Sequence, residues 1–121
     1  IEVFSAGLQT TPGRAANPHA CDEAKTRGID LSAHKTTRAT ADSLKDADLI
    51  FVFDHTQRSH LLRIAPEVRG KVVLFGSLCA ADSLPLIIQD PYGRGPDAFR
   101  RCFHAIDHSA EKFAALLRGA K

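Results

Sequence analysis

Two nearly continuous apolar runs, residues 47–53 (ADLIFVF) and 71–78 (KVVLFGSL), constrain the fold of this chain most strongly. Apolar runs of this length suit β-strands that are buried on both faces of a parallel sheet. Between them, Asp54 precedes a segment with helical spacing of its apolar residues, and a shorter β-type run, Ile1–Phe4, opens the chain. Strands that alternate with helices predict an α/β fold, in which a parallel sheet is flanked by helices in three layers.

Further helices are predicted from capping residues. Asn17 and Pro18 are a favourable N-cap and first helical residue, and Gly28 is a natural stop. A short helix is predicted over residues 40–46. Asp54 is interpreted first as the N-cap of the helix that follows it, although its place after a strand also makes it a weaker site candidate.

The longest predicted helix begins at Pro96 and ends at about residue 118. Its apolar residues recur at helical spacing, so we expect this helix to pack on the sheet. The residues of this stripe are Phe99, Cys102, Phe103, Ile106, Ala110, Phe113, Ala114 and Leu117. Residues 79–89, with an apolar stretch at 84–88, are predicted to form a loop.

Length and charge narrow the classes of function. The 121 residues suit a single domain, and the formal charge of 16 − 14 = +2 is too small to favour a nucleic-acid or membrane surface. Three cysteines, an odd number, give no disulfide framework, which favours reduced thiols in a cytoplasmic protein. The histidines and cysteines show no zinc-ligand spacing, so no metal is expected.

The chain contains no methionine, and it opens directly on a β-type run. We therefore expect the domain to be incomplete at its N-terminus, with further sequence upstream of Ile1.

An ordered series of motifs runs through the whole chain. Its most specific members are DPYG at residues 90–93, followed closely by an aspartate and a phenylalanine, and GIDLSAH at residues 28–34. The other members are Ser5-Ala6-Gly7, Asn17-Pro18-His19-Ala20, residues 49–54 and the long last helix. This series resembles the low-molecular-weight protein tyrosine phosphatases from end to end. The opening Ser5-Ala6-Gly7-Leu8 is most similar to their bacterial branch.

The resemblance implies a four-stranded parallel sheet whose first strand leads into a phosphate-binding loop, Cys-x5-Arg-Ser/Thr, and then a helix. Residues 1–121 contain no such strand, loop and helix, so we expect the nucleophile to lie upstream of this chain. In the family the first strand lies between the second and third. The expected gap inside the sheet exposes backbone groups. We therefore expect the 121-residue chain neither to fold well alone nor to hydrolyse aryl phosphates.

The resemblance also implies the reaction. A cysteine thiolate attacks phosphotyrosine, and water hydrolyses the phosphocysteine intermediate, without metal or cofactor. Phosphotyrosine proteins are the implied substrates, and a bacterial tyrosine kinase of polysaccharide export is one candidate partner.

Four residues take site roles by this resemblance. Asp90 is the general acid and base, although Asp-Pro also simply begins turns. Tyr92 lines the substrate pocket, against the alternative of a surface turn aromatic. His34 and Ser5 support the phosphate loop, with a plain structural role for His34 equally open. Ala6 departs from the serine that some family members carry, which weakens the predicted supporting network.

Cys21 and Arg27 form the one Cys-x5-Arg string in the chain, but we reject them as the phosphate loop. The string contains two carboxylates and no glycine, and it falls inside a predicted helix whose N–H groups are already used. Six residues of helix turn through about 600°, so the two side chains face different directions. Cys21 is expected to be a small buried residue.

Two other functions remain open at this point. A phosphatase-like binding or regulatory domain would have lost its loop and kept the fold. An arsenate reductase of related fold would use further redox cysteines, but no such pairing of Cys79 and Cys102 is evident from the sequence. The retained Asp90 and Tyr92 favour the phosphatase.

Overall fold

The computed structural model of the chain describes residues 1–82 and 87–119. The described elements are α1 (Pro18–Thr26), α2 (Ala41–Asp46), β1 (Ile50–Val52), α3 (His55–Ile64), β2 (Val72–Leu74) and α4 (Pro96–Gly119). Two 3₁₀ helices, Pro66–Lys71 and Phe75–Asp82, lie on either side of β2. The structure is α/β with a parallel sheet, as the sequence predicts.

β1 and β2 pair in parallel, with Ile50 opposite Val72 and Val52 opposite Leu74. Each strand has three residues, which is shorter than the apolar runs that predict them. β2 ends at Leu74 because the chain turns into a 3₁₀ helix there, and the Ser77 hydroxyl donates a hydrogen bond of 2.6 Å to the Leu74 carbonyl. Within the described residues the sheet has these two strands alone.

The strand predicted at Ile1–Phe4 is wrong. These residues have no regular structure, and Ile1, Val3 and Phe4 are 92%, 82% and 63% exposed. A strand persists only where a neighbour pairs its backbone groups, and no described residue pairs with residues 1–4. Pairing starts at Gly7, whose N–H donates to the Thr37 carbonyl at 2.7 Å.

The helix starts are where the capping residues predict them. The Asn17 side chain accepts a hydrogen bond from the His19 N–H at 2.8 Å. Thr40 and Ser43 form a reciprocal capping box at the start of α2. The Asp54 carboxylate accepts from the Gln57 N–H at 2.7 Å, so the prediction of an N-cap is confirmed. At the end of α1, Gly28 has φ +78°, a conformation that favours glycine.

The main core lies between the sheet and the helices α2 and α3. Its buried members are Ala39, Leu44, Ile50, Val52, Leu61, Leu62, Ala65 and Val68. On the remaining side of the sheet, the Phe51 ring packs against the rings of Phe75 and Phe113, with centroids 4.8 and 5.0 Å away. Phe113 belongs to α4, so the aromatic contact attaches the long helix to β1.

The apolar stripe of α4 is confirmed at Phe99, Cys102 and Phe113, the last of which packs on Phe51 of the sheet, and it is wrong at two other positions. Phe99 and Cys102 are buried, whereas Ala110 and Leu117 are exposed. Ser109 is buried instead, and its hydroxyl lies 3.5 Å from the Cys79 thiol. Ala110 is about 80° of helical rotation from Cys102, whereas Ser109 is about 20° from it, so the polar residue faces the interior.

The loop predicted over residues 79–89 is wrong at residues 79–82, which belong to the second 3₁₀ helix, and its positions 83–86 lie outside the described residues. Among the helices of the described ranges, none has the length and apolar character needed to span a membrane.

Candidate active site

The segment that carries Asp90 is fixed at the carboxyl end of β1. The Ile88 N–H donates to the carbonyl of Phe53 at 2.9 Å, and Phe53 directly follows the last residue of the strand. The Ile88 side chain is 2% exposed, so its burial in the interior anchors the segment. Sites in parallel α/β folds lie outside the carboxyl ends of the strands. Asp90, two residues beyond the anchor, therefore lies at the edge where such sites form.

A tight turn sets the direction of the Asp90 carboxylate. Its Oδ1 accepts a hydrogen bond of 3.0 Å from the Tyr92 N–H, and the Arg94 N–H donates to the Pro91 carbonyl at 3.0 Å. Gly93 has φ +77°, which favours glycine at this position. Asp90 is exposed, and its second carboxylate oxygen makes no hydrogen bond to a described residue. The turn therefore uses one oxygen and leaves the other available for proton transfer.

Asp90 and Pro91 line a groove of about 760 Å³ between this segment and α4. The apolar part of its lining includes Ile87, Ile88, Ala98, Cys102 and Ala105. Its cationic and titratable side chains are Arg27, Arg94, Arg100, Arg101 and His104. Tyr92 is 76% exposed and is not part of the lining. The structure thus places the candidate acid in a cavity and places the predicted pocket aromatic outside it.

Cys102 lies in this groove but is not an activated nucleophile. Burial, and then the negative charge of Asp90, raises the pKa of the Cys102 thiol to about 11. A nucleophilic cysteine needs the opposite environment, one that stabilises the thiolate at neutral pH. Cys102 therefore remains a protonated thiol within the packing of α4.

Ser5 and His34 are brought together in a separate cavity of about 250 Å³. The other residues that line it are Ala6, Gly7, Thr10, Thr36 and Thr37. The Gly7 hydrogen bond to Thr37 and the bond from the Ala39 N–H to the Gly7 carbonyl, 2.9 Å, hold the two segments together. Ser5 and His34 therefore line one cavity, and their role in supporting the phosphate loop stays a prediction. This cavity shares no lining residue with the groove at Asp90.

The contacts of the Arg27 guanidinium group are all made within the protein, so its position is explained without a role in phosphate binding. Its guanidinium donates to the Glu23 carboxylate at 3.1 Å and to the Asp107 carboxylate. It also lies 5.9 Å from the centre of the Phe103 ring. Cys21 lies within α1, is half-buried rather than fully buried, and has its thiol 3.8 Å from the Ala16 carbonyl. Arg27 thus connects α1 to α4, and its charge is already neutralised.

None of the three cysteines has the surroundings of the family nucleophile. All three are free thiols, and each lies inside a helix: Cys21 in α1, Cys79 in the second 3₁₀ helix and Cys102 in α4. In the described part of the chain, no group of three or more His, Cys, Asp or Glu side chains is placed to hold a metal ion.

A parallel α/β fold with a carboxylate in a groove at the carboxyl edge of its sheet is typical of enzymes. The family is given by comparison with known proteins. The family model described as low molecular weight phosphotyrosine protein phosphatase matches residues 1–121. The chain belongs to this family.

Bacterial members of the family are similar over nearly the whole chain. The probable phosphatase AmsI of Erwinia amylovora is 34% identical over 116 residues, which are 96% of this chain and 78% of AmsI. Etp of Escherichia coli K12 is 31% identical over 117 residues, or 97% of this chain and 76% of Etp. These relatives support protein tyrosine phosphatase activity, and they show that about a fifth of each relative (100 − 78 = 22% of AmsI) lies outside the match.

Solved structures agree with the fold. The crystal structure of AmsI superposes with a TM-score of 0.84 at 33% identity, over 92% of this chain and 71% of the other. Wzb of Vibrio vulnificus, solved in complex with benzylphosphonate, gives 0.77 at 32% identity, over 86% and 68%. The enzymatic prediction and the predicted fold class are both confirmed.

Sequence reasoning did not find the arginines that share the groove with Asp90. Arg94 and the Arg100-Arg101 pair are visible in the sequence close after DPYG. These arginines line one cavity because α4 lies beside residues 87–91. The sequence pattern does not predict how α4 lies relative to that segment.

Proposed function

We propose that residues 1–121 carry the general acid and the supporting residues of a phosphotyrosine phosphatase site. The observation that carries the proposal is Asp90 itself: it is anchored at the carboxyl end of β1, oriented by the Tyr92 N–H, and lines a groove. The reaction needs a Cys-x5-Arg-Ser/Thr loop in addition to these residues. The single Cys-x5-Arg string of the chain, Cys21 to Arg27, is followed by Gly28, lies in and at the end of α1, and has its arginine paired.

In the proposed first step, the loop thiolate attacks phosphorus and the bond from phosphorus to the tyrosine oxygen breaks. Asp90 gives its proton to the departing phenolate, so tyrosine leaves neutral and phosphocysteine remains. In the second step, the Asp90 carboxylate takes a proton from water as the water oxygen attacks phosphorus. The phosphorus–sulfur bond breaks, and inorganic phosphate and the thiolate are released.

Ser5 and His34 hold the underside of the phosphate loop in this proposal. Their shared cavity, whose two lining segments are joined by the Gly7 backbone hydrogen bonds, supports this role. The exposed Tyr92 ring is free to contact the substrate ring from the mouth of the site. Phosphotyrosine proteins are the proposed substrates, a tyrosine kinase of polysaccharide export the proposed partner, and the cytoplasm the proposed location.

The test compares two proteins with p-nitrophenyl phosphate as substrate. The first is the 121-residue chain. The second, the extended chain, is the same sequence preceded by the N-terminal segment of AmsI that lies outside the match. AmsI itself is the positive control, and the extended chain with its added loop cysteine changed to serine is the negative control. Circular dichroism shows whether each protein is folded.

We expect hydrolysis by the extended chain and none by the 121-residue chain or the serine variant. Hydrolysis by the short chain that is lost on Cys21→Ser would contradict the proposal. A folded but inactive extended chain would favour the binding domain. Thiol-dependent reduction of arsenate, without phosphatase activity, would favour the reductase.

A further inference from the structure

The segment that carries Asp90 is held at one backbone position, Phe53. This residue lies between the end of β1 and the start of α3, and its carbonyl accepts the 2.9 Å hydrogen bond from the Ile88 N–H. Its ring stacks on the Phe75 ring, with centroids 6.2 Å apart. Within the ranges that the structure describes, no other backbone hydrogen bond joins residues 87–90 to an earlier part of the chain. The position of the Phe53 backbone therefore governs the position of this segment.

The Phe53 backbone is in turn held by the side chain of Gln57. The Gln57 Oε1 atom accepts a hydrogen bond of 2.7 Å from the Phe53 N–H, and both residues are half-buried. Gln57 is the third residue of α3, and Asp54 is the N-cap. In the usual capping box, the third helical residue reaches back to the N–H of the N-cap. Gln57 reaches one residue further, to the residue whose carbonyl holds Ile88.

These two hydrogen bonds connect α3 to the candidate acid. The N–H and the carbonyl of Phe53 lie on either side of its Cα, so restraint of the N–H limits how far the carbonyl can turn. Ile88 binds that carbonyl, and Asp90 follows Ile88 by two residues. A general acid must lie about 2.6–3.2 Å from the atom it protonates, and a displacement of about 1 Å can lower a rate roughly 10²-fold. A small shift at Phe53 is therefore expected to affect catalysis.

We propose that Gln57 is a positioning residue for the general acid. Its side-chain oxygen fixes Phe53, Phe53 fixes Ile88, and the Asp90 carboxyl group is thereby placed against the leaving group. The path runs through backbone groups and one half-buried side chain, so it does not require the groove beside α4 to be open. The inference rests on the proposed phosphatase function for its catalytic meaning. The anchoring of residues 87–90 by Gln57 can be tested without it.

Three variants of the extended chain change the Gln57 contact, and one serves as a control. Gln57→Leu removes the acceptor, Gln57→Asn places its oxygen short of the Phe53 N–H, and Gln57→Glu keeps an acceptor of the same length. Ser43→Ala is the matched control. Ser43 is the third residue of α2, and its hydroxyl accepts from the Thr40 N–H at 3.0 Å in a usual capping box. The control thus loses the same kind of hydrogen bond in another helix.

The first readout is kcat/KM for phenyl phosphate and for p-nitrophenyl phosphate. We expect Gln57→Leu to lower the value for phenyl phosphate about 10-fold, which is less than the loss of the acid itself. The value for p-nitrophenyl phosphate falls less, because its phenolate leaves more easily without a proton. Gln57→Glu and Ser43→Ala keep the unmodified values, and inhibition by inorganic phosphate is unchanged in every variant. Equal losses on both substrates, or the same loss in Gln57→Glu, would overturn the inference.

The second readout combines Gln57→Leu with Asp90→Asn. If Gln57 acts through the carboxyl group of Asp90, the double variant is no slower on phenyl phosphate than Asp90→Asn alone. A merely structural role of Gln57 would lower the rate again by about the factor seen in the single variant, and this result would overturn the inference.

Amide hydrogen exchange of the extended chain, followed by NMR, separates this inference from the proposed function. We expect Gln57→Leu and Gln57→Asn to speed exchange of the Ile88 N–H about 10-fold, and Ser43→Ala to leave it unchanged. Unchanged exchange at Ile88 overturns the inference whether or not the enzyme is active. Faster exchange with unchanged hydrolysis of phenyl phosphate overturns the positioning role. An extended chain inactive on p-nitrophenyl phosphate contradicts the proposed function, and the exchange rates then decide the anchoring by themselves.

Discussion

Replacing Asp90 by asparagine separates the chemistry of its carboxyl group from its role in the turn. The asparagine side chain keeps an oxygen that accepts the hydrogen bond from the Tyr92 N–H, which is 3.0 Å in the structure. The anchor from Ile88 to Phe53 does not involve the side chain and is also retained. The substitution therefore preserves the turn and removes the capacity of the side chain to donate a proton to the leaving group and to accept one from water.

The expected loss is the contribution of general acid catalysis, about 10²–10⁴-fold in turnover. The loss depends on the leaving group, because a phenolate of high basicity needs the proton most. We expect Asp90→Asn in the extended chain to affect phenyl phosphate more than p-nitrophenyl phosphate. Inhibition by inorganic phosphate changes little, since the loop that binds phosphate is untouched.

Asp90→Ala is the matched variant, because it removes both the proton and the hydrogen-bond acceptor. The lost hydrogen bond is worth roughly 0.5–1.5 kcal/mol of local stability, so the alanine variant is expected to be somewhat less active than the asparagine variant. Turnover of phenyl phosphate by Asp90→Asn within about threefold of the unmodified enzyme, far below the loss expected for a general acid, would refute the reasoning. Asp90 would then be a turn residue and nothing more.

Three further predictions concern the extended chain in urea unfolding. Asp54→Ala lowers the free energy of unfolding by about 1 kcal/mol, because the Gln57 N–H loses the acceptor that caps it at 2.7 Å. Asp54→Asn keeps an acceptor oxygen and therefore most of this stability. Equal losses in the two variants would show that the cap does not stabilise the helix. Arg27→Gln also lowers the free energy of unfolding by about 1 kcal/mol, because the partly exposed ion pairs that join α1 to α4 are lost. An unchanged free energy of unfolding would show that solvent screening cancels the contribution of these ion pairs. The raised pKa of Cys102, about 11, predicts a pH effect. The folded protein holds this thiol proton more tightly than the unfolded chain, so the stabilisation is complete below about pH 9 and is lost as the pH rises towards 11. Cys102→Ala should flatten that decline, and an unaltered slope would contradict the assignment.

The helix boundaries could be read from the sequence because they depend on neighbours a few residues away. Asn17, Thr40 and Asp54 each accept a hydrogen bond from an N–H two or three positions later. Gly28 ends α1 through its own backbone preference. Local chemistry of this kind needs no knowledge of the rest of the fold.

The strands were predicted less well, because a strand depends on a partner that is distant in sequence. The apolar runs at 47–53 and 71–78 did pair, although over three residues each. Ile1–Phe4 has the same type of composition and remains exposed, because no described strand lies beside it. Composition predicts the ability to form a strand, whereas the neighbour decides whether it forms.

For the site, too, some features follow from the sequence alone and others only from the tertiary structure. The sequence by itself determined the family, through an ordered set of motifs, and determined that the turn at residues 90–93 offers a carboxylate. Only the tertiary structure decided which side chains meet. It brings Ser5 and His34 to one cavity and pairs Arg27 with Asp107. Residues that are far apart in sequence become neighbours only when packing against the sheet fixes the helices, and the charge of a site is a sum over those neighbours.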